Sequence, residues 1–224
     1  MKALCVSDRI DPLVYSDSVK RRFADIDVVL SAGDLPLEYL EFIVSSLNKP
    51  LFFVFGNHNL NQFSYYKSRG SEFADRRGMT EERRDIPGLG TVYAGGRVVR
   101  EGGLLIAGLG GSMRYNGGGN QYSNFEMNMR ILGLLPGLLF NRIRYGRALD
   151  VLLTHAPPYG IHDGKDLCHR GFRAFLWFMR VFKPKYLIHG HIHLYDFADN
   201  RKTVYHSTVV VNAYSHFVVD IEVK

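Results

Sequence analysis

"YLIHGHIHLYD", residues 186–196, sets three histidines two residues apart behind a short apolar run. Alternate side chains of a strand share a face, so His189, His191 and His193 would look the same way if the extended conformation continued. The plainer alternative is a wet strand edge that tolerates imidazole. What separates the two readings is whether other metal-type ligands also follow apolar strands in this chain.

They do. "ALCV" runs into Ser7-Asp8, "VVLSA" into Gly33-Asp34, "LFFVF" into Gly56-Asn57-His58, "VLLT" into His155, and "YLIH" into Gly190-His191. Helix-like patterns lie between these runs, notably over residues 37–47 and 172–182, so strand and helix alternate and mainly parallel, buried pairing is expected. The fold class is α/β. "TVYA", "RVVRE", "LLIAGL", "KTVYH", "TVVVNA" and "HFVVDIEV" are β-rich at short spacing and read as antiparallel strands, which implies a second sheet. Residues 110–147, from "GSMRYNGGGNQYSN" to "NRIRYGR", are the least regular stretch and read as an excursion from the domain, a lid or a contact surface.

The 224 residues suit a single domain spanning 1–224 with a substantial core, and 46% hydrophobic composition excludes a disordered chain. Cys5 and Cys168 make neither a disulfide framework nor a C-x-x-C motif, and "MKALCVSDRI" enters a strand-like run without an export signal. A cytoplasmic setting is expected. "ILGLLPGLLF" is interrupted by Gly133, Pro136 and Gly137 and falls short of the ~20 residues of a membrane-spanning helix.

A formal charge of +6 and a pI near 9.3 favour anionic partners. Clusters such as 20–22, 83–84 and 142–147 are not interleaved with aromatics in the manner of a nucleic-acid platform, so a nucleic-acid partner is unsupported. The apolar run and the arginines that follow it, residues 131–147, suit peripheral contact with a membrane, with core packing or a dimer contact as the alternatives. The oligomeric state is not legible.

Ligands of open α/β sheets collect beyond the carboxyl ends of the strands, so Asp8, Asp34, Asn57, His58, His155, His191 and His193 are expected to converge. Carboxylate, amide oxygen and imidazole together suit a divalent ion such as Mn²⁺, Zn²⁺ or Fe²⁺, and the absence of thiolate argues against a structural zinc centre. No phosphate-binding G-x-x-x-x-G-K-[ST] loop, dinucleotide G-x-G-x-x-G or G-x-S-x-G nucleophile elbow competes for the assignment.

The succession "SD" at 7–8, "GD" at 33–34, "GNH" at 56–58, "THAPP" at 154–158 and "GHIH" at 190–193 resembles the calcineurin-like metallophosphoesterase superfamily over nearly the whole chain. The resemblance implies two mixed β-sheets packed as a sandwich and flanked by helices. It also implies hydrolysis of a phosphodiester, phosphomonoester or pyrophosphate by metal-activated water, with one or two divalent ions, manganese first. By position, Asp8 and His193 would hold one metal, Asn57, His155 and His191 the other, and Asp34 would bridge them. His58 would stand beside the scissile phosphate as the catalytic residue. His189 precedes the motif and reads as a strand or supporting residue.

Two positions depart from the family pattern. The first motif, usually D-x-H, reads "SDRID", so Ile10 stands where a ligand histidine is expected, and Asp11 before Pro12 reads as a turn residue. Asn59 follows His58 where an acidic residue is common, and an amide orients an imidazole without raising its pKa. The alternative to an enzyme is therefore a scaffold or binding protein that keeps the fold with impaired catalysis. Arg9, Arg114, His162 and His169, with Asp163 and Asp166, are further polar residues that could line a phosphate-binding pocket.

Overall fold

The computed structural model describes residues 1–61, 63–68, 90–196 and 200–222. Arg83 and Arg84 lie outside that range. One sheet joins β1 (Lys2–Ser7), β2 (Val28–Ser31), β3 (Leu51–Phe53), β4 (Thr91–Tyr93) and β13 (Ser215–Asp220) in the order β13-β1-β2-β3-β4. The second joins β5 (Val98–Glu101), β6 (Leu104–Leu109), β9 (Val151–Thr154), β10 (Tyr186–His189), β11 (Lys202–Tyr205) and β12 (Thr208–Asn212) in the order β11-β12-β10-β9-β6-β5. β7 (Ser112–Met113) and β8 (Gln121–Tyr122) pair separately.

Strand periodicity builds the layers. In β1, Ala3 and Cys5 face a core shared with Leu104, Ile106, Val151, Leu153 and Ile188 of the other sheet, so the two sheets are packed face to face. Leu4 and Val6, one residue out of phase, face Leu37, Leu40 and Ile43 of α2 (Leu37–Leu47), beside α1 (Val19–Arg22). On the far side Leu105, Ala107, Leu152 and Leu187 face Met127, Ile131, Leu134 and Leu138 of α4 (Asn124–Tyr145) and Phe175 and Phe178 of α5 (Arg173–Phe182). The result is a helix, sheet, sheet, helix stack. Strands covered on both faces need no polar alternation, which is why they read as continuous apolar runs.

The pairing differs from expectation at several later strands. β4 runs parallel to β3, because the chain reaches it through a long connection that includes α3 (Phe63–Ser68) rather than a hairpin. β6 and β12 are antiparallel to β5 and β11 but parallel to β9 and β10. β13 closes the first sheet against β1 instead of joining the second.

Much of the 110–147 stretch is regular, since Asn124–Tyr145 form the single helix α4. After the β7–β8 pair, Ser123 opens α4 with a capping box: its hydroxyl accepts from Glu126 N–H (3.2 Å) and Glu126 Oε2 accepts from Ser123 N–H (2.7 Å). Gly146, at φ 72°, closes the helix in the left-handed conformation that glycine adopts without a Cβ penalty. α4 thus covers the second sheet as a structural layer.

Candidate metal centre

Five strand ends from two sheets meet at one seam. Asp8, Asp34 and Asn57 follow β1, β2 and β3 of the first sheet, and His155 and His191 follow β9 and β10 of the second. Asp34 Oδ2 lies 3.3 Å from His155 Nε2, and Asn57 Oδ1 lies 3.2 Å from the same nitrogen. Ligand atoms of Asp34, His155 and His191 all fall within 4.8 Å of one another. Asp8 Oδ2 accepts from His191 N–H (2.9 Å), and His193 Nε2 stands 4.0 Å from Asp8 Oδ1 with its ring against Tyr214.

The backbone is strained where these side chains turn inward. Asp8, Asp34 and His191 have φ of 63°, 58° and 69°, a conformation that costs a non-glycine residue about 1–2 kcal/mol. Local hydrogen bonds hold it: Asp8 N–H donates to Gly33 O (3.1 Å), and Asn59 Nδ2 donates to Asp34 O (3.0 Å). Asn59 therefore orients the Asp34 turn. Gly190 is required beside Asp8, since a Cβ there would come within 2.5 Å of Asp8 Oδ2.

The side chains suit a cation. His155 is anchored through Nδ1 to Ala32 O (2.8 Å), which leaves Nε2 facing the acidic side chains. His191 donates through Nε2 to Cys168 O (2.7 Å), so Nδ1 is the nitrogen left for coordination. A metal-ligating histidine is oriented by such a bond from its other nitrogen. Burial pushes the Asp8 carboxyl up, the signature of a buried acid short of positive partners, and burial with the charge of His155 brings His191 down to about 3. Burial also opposes charge on Asp34 and His155, yet their attraction outweighs it: Asp34 falls to about 2 and His155 rises to about 9.

His58 is exposed at the mouth, and its N–H donates to Asp34 Oδ1 (2.8 Å). His189 lies behind the centre, fully buried, with Nδ1 on Gly190 O and Nε2 3.0 Å from His162 Nδ1; burial lowers it to about 3. His162 meets Thr203 Oγ1 through its other nitrogen (2.9 Å), so both its nitrogens are engaged within the protein. Arg114 is likewise tied down, by Glu126 (2.7 Å) in the capping box of α4. His169 pairs with Asp166 (2.9 Å) while its ring stands 5.4 Å from that of His191. Asp163 holds the Gly171 N–H. Arg9 is exposed and lines a cavity of about 380 Å³ with Asp11, Tyr195, Arg201, Tyr214 and His216.

Ile10 is 42% exposed, and Asp11 does not replace the missing histidine. Its Oδ2 accepts from Ser215 Oγ (2.6 Å) and His216 Nδ1 (2.5 Å), and its Oδ1 from Leu13 N–H (2.8 Å), so it pins the β1 loop to β13. Asp11→Ala is expected to lower unfolding free energy by about 2 kcal/mol in denaturant titration while leaving metal stoichiometry unchanged.

Two contributors escaped the sequence. Tyr115 OH lies 3.4 Å from Asn57 Nδ2, and nothing in the 110–119 segment marked it. The Cys168 carbonyl orients His191, and every residue carries a carbonyl.

No curated protein matches this sequence. One solved crystal structure aligns with 98% of this chain and 94% of its own at 13% identity and a TM-score of 0.63. The crystal structure of TT1561 of Thermus thermophilus aligns over 96% and 89% at 14% identity with a TM-score of 0.62, so both share the fold. The model of the calcineurin-like phosphoesterase family matches residues 6–195, the span that carries every strand end of the site. By that match the chain belongs to the calcineurin-like phosphoesterase family.

Proposed function

We propose that this protein hydrolyses a phosphodiester, phosphomonoester or pyrophosphate bond of a small phosphorylated substrate, using one or two divalent cations. The observation that carries the reading is the meeting of Asp34, His155 and His191 ligand atoms within 4.8 Å, with Asn57 beside them. Asp34, Asn57, His155 and His191 would hold one cation, and Asp8, Asp34 and His193 a second. Oxygen and imidazole donors favour Mn²⁺, with Fe²⁺ or Zn²⁺ as alternatives. A bound cation supplies Lewis-acid stabilisation of the phosphoryl oxygens and acidifies water.

The protein's own groups do the rest. The Asp34 carboxylate holds the His58 backbone at the mouth, where the imidazole can deliver a proton to the leaving oxygen. Arg9, exposed beside the neighbouring cavity, suits the substrate's anionic groups. The proposal extends to a cytoplasmic setting, which the free thiols of Cys5 and Cys168 support.

A second reading, a binding protein with impaired catalysis, is favoured by Ile10 and by the engagement of Asp11, which leave the second cation with few ligands. Metal-stripped protein assayed on bis-p-nitrophenyl phosphate and p-nitrophenyl phosphate, before and after Mn²⁺, separates the two. The enzyme reading expects Mn²⁺-dependent turnover that His58→Ala lowers about 10²–10⁴-fold. Bound metal with no hydrolysis of either ester favours the binding protein.

A further inference from the structure

α4 is apolar on two opposite sides, and the core accounts for only one. Met127, Ile131, Leu134 and Leu138 are buried, whereas Phe125 is 72% exposed, Phe140 62% and Ile143 87%, with Met129, Leu132 and Leu139 exposed between them. Positions 125, 129, 132, 139, 140 and 143 fall within an arc of roughly 100° at the helical period of 3.6. Pro136 lies in the same arc. Six large apolar side chains on one solvent-facing stripe are far from the scattered exposure of ordinary surfaces.

Arginines dominate the charge around the stripe. Arg142 and Arg144 project to either side of it near the end of α4. α5, packed beside α4, adds exposed Trp177 and Val181 together with Arg173 and Arg180. α5 carries no acidic residue, and the one acid of α4, Glu126, is held by Ser123 and Arg114. Apolar and aromatic groups with flanking arginines form the face of a helix lying in a membrane interface, with the guanidinium groups reaching the phosphates.

Arg142, Arg144, Arg173 and Arg180 beside the stripe complement an anionic bilayer, and on that charge match the occupant is assigned. Leu132 and Trp177 also border a cavity of about 570 Å³ between α4 and α5, lined with them by Asn124, Asn128, Arg173 and Ala174, while Phe125, Phe140 and Ile143 stand further along the helix. None of the described helices is long and apolar enough to cross a membrane, so contact would be in plane.

We propose that the α4–α5 face rests on an anionic lipid bilayer, with the stripe from Phe125 to Ile143 entering the acyl boundary. Trp177, the single tryptophan of the chain, stands on this face as a built-in probe. The test is co-flotation of the full-length protein with phosphatidylcholine vesicles, with and without phosphatidylglycerol, read also by Trp177 fluorescence. Binding with a blue shift is expected on the phosphatidylglycerol vesicles and loss of both in Phe140→Glu/Ile143→Glu, whose exposed positions leave the fold intact. Arg142→Gln/Arg144→Gln is expected to weaken partition roughly thirtyfold. The proposal is overturned if the protein fails to float with anionic vesicles, or if both variants bind as the wild type does. It is equally overturned if the protein sediments as a dimer that Phe140→Glu/Ile143→Glu dissociates without any vesicle binding.

Discussion

Asp34→Ala is expected to abolish metal uptake and with it any hydrolytic turnover. Losing a partner that merely orients a ligand costs roughly 10–100-fold in affinity or activity, and Asp34 stands nearer the centre than that. Its Oδ2 faces His155 Nε2 at 3.3 Å and its Oδ1 holds the His58 N–H at 2.8 Å, so one substitution removes a ligand and releases the mouth residue. The metal-free protein adds a signature. His155, raised to about 9 despite its burial by the Asp34 charge above all, is protonated at neutral pH, so a cation that takes Nε2 must displace that proton. Calorimetric titration of Mn²⁺ into metal-free wild type in buffers of different ionisation enthalpy should show about one proton released per chain at pH 7. The alanine variant should show neither heat nor release. Full metal content and unchanged turnover in a folded Asp34→Ala protein would defeat the assignment.

The same pair sets a pH window for the metal-free fold. Asp34, lowered to about 2, contributes stability present above the ordinary carboxylate pKa and lost as pH falls through about 2. His155, raised to about 9, contributes stability present below the ordinary imidazole pKa and lost as pH rises through about 9.

The second large effect is expected from Gly56→Ala. A Cβ at that position would lie 2.0 Å from Asp34 Oδ1 and 2.6 Å from His155 Cε1, so the two side chains that define the centre must move. Overpacking a close-fitted site costs about 1–3 kcal/mol of stability. The functional loss should be larger than the stability loss, because Asp34 Oδ1 cannot both avoid the methyl and keep the His58 N–H. At least a hundredfold drop in turnover with a modest shift of the melting midpoint is the expected pattern, and a variant of wild-type activity would refute it.

Much of the centre is legible because it is written locally. An apolar run that ends in Gly-Asp, Gly-Asn-His or Gly-His states both that a strand has ended and that a metal-type ligand follows. The covering helix α2 is equally plain, since residues 37–47 repeat at the helical period. α4 is not, because "ILGLLPGLLF" is apolar in every direction and contains two glycines and a proline, although the "SNFE" capping box at 123–126 stands in front of it. The pairing of β4, β6, β12 and β13 escapes the sequence for a related reason: β-branched residues mark a strand and say nothing about its neighbour.

The sequence by itself determined the α/β class, the family and the ligand types at five strand ends, because each is encoded by residues within a few positions of one another. Only the tertiary structure decided that those ends come from two different sheets and meet at their seam. It also decided that His191 spends Nε2 on the Cys168 carbonyl, that Asp11 is consumed in tying its loop to β13, and that one apolar side of α4 faces solvent. Each of those depends on what lies opposite a side chain, and the opposite partner is set by packing between segments distant in the chain.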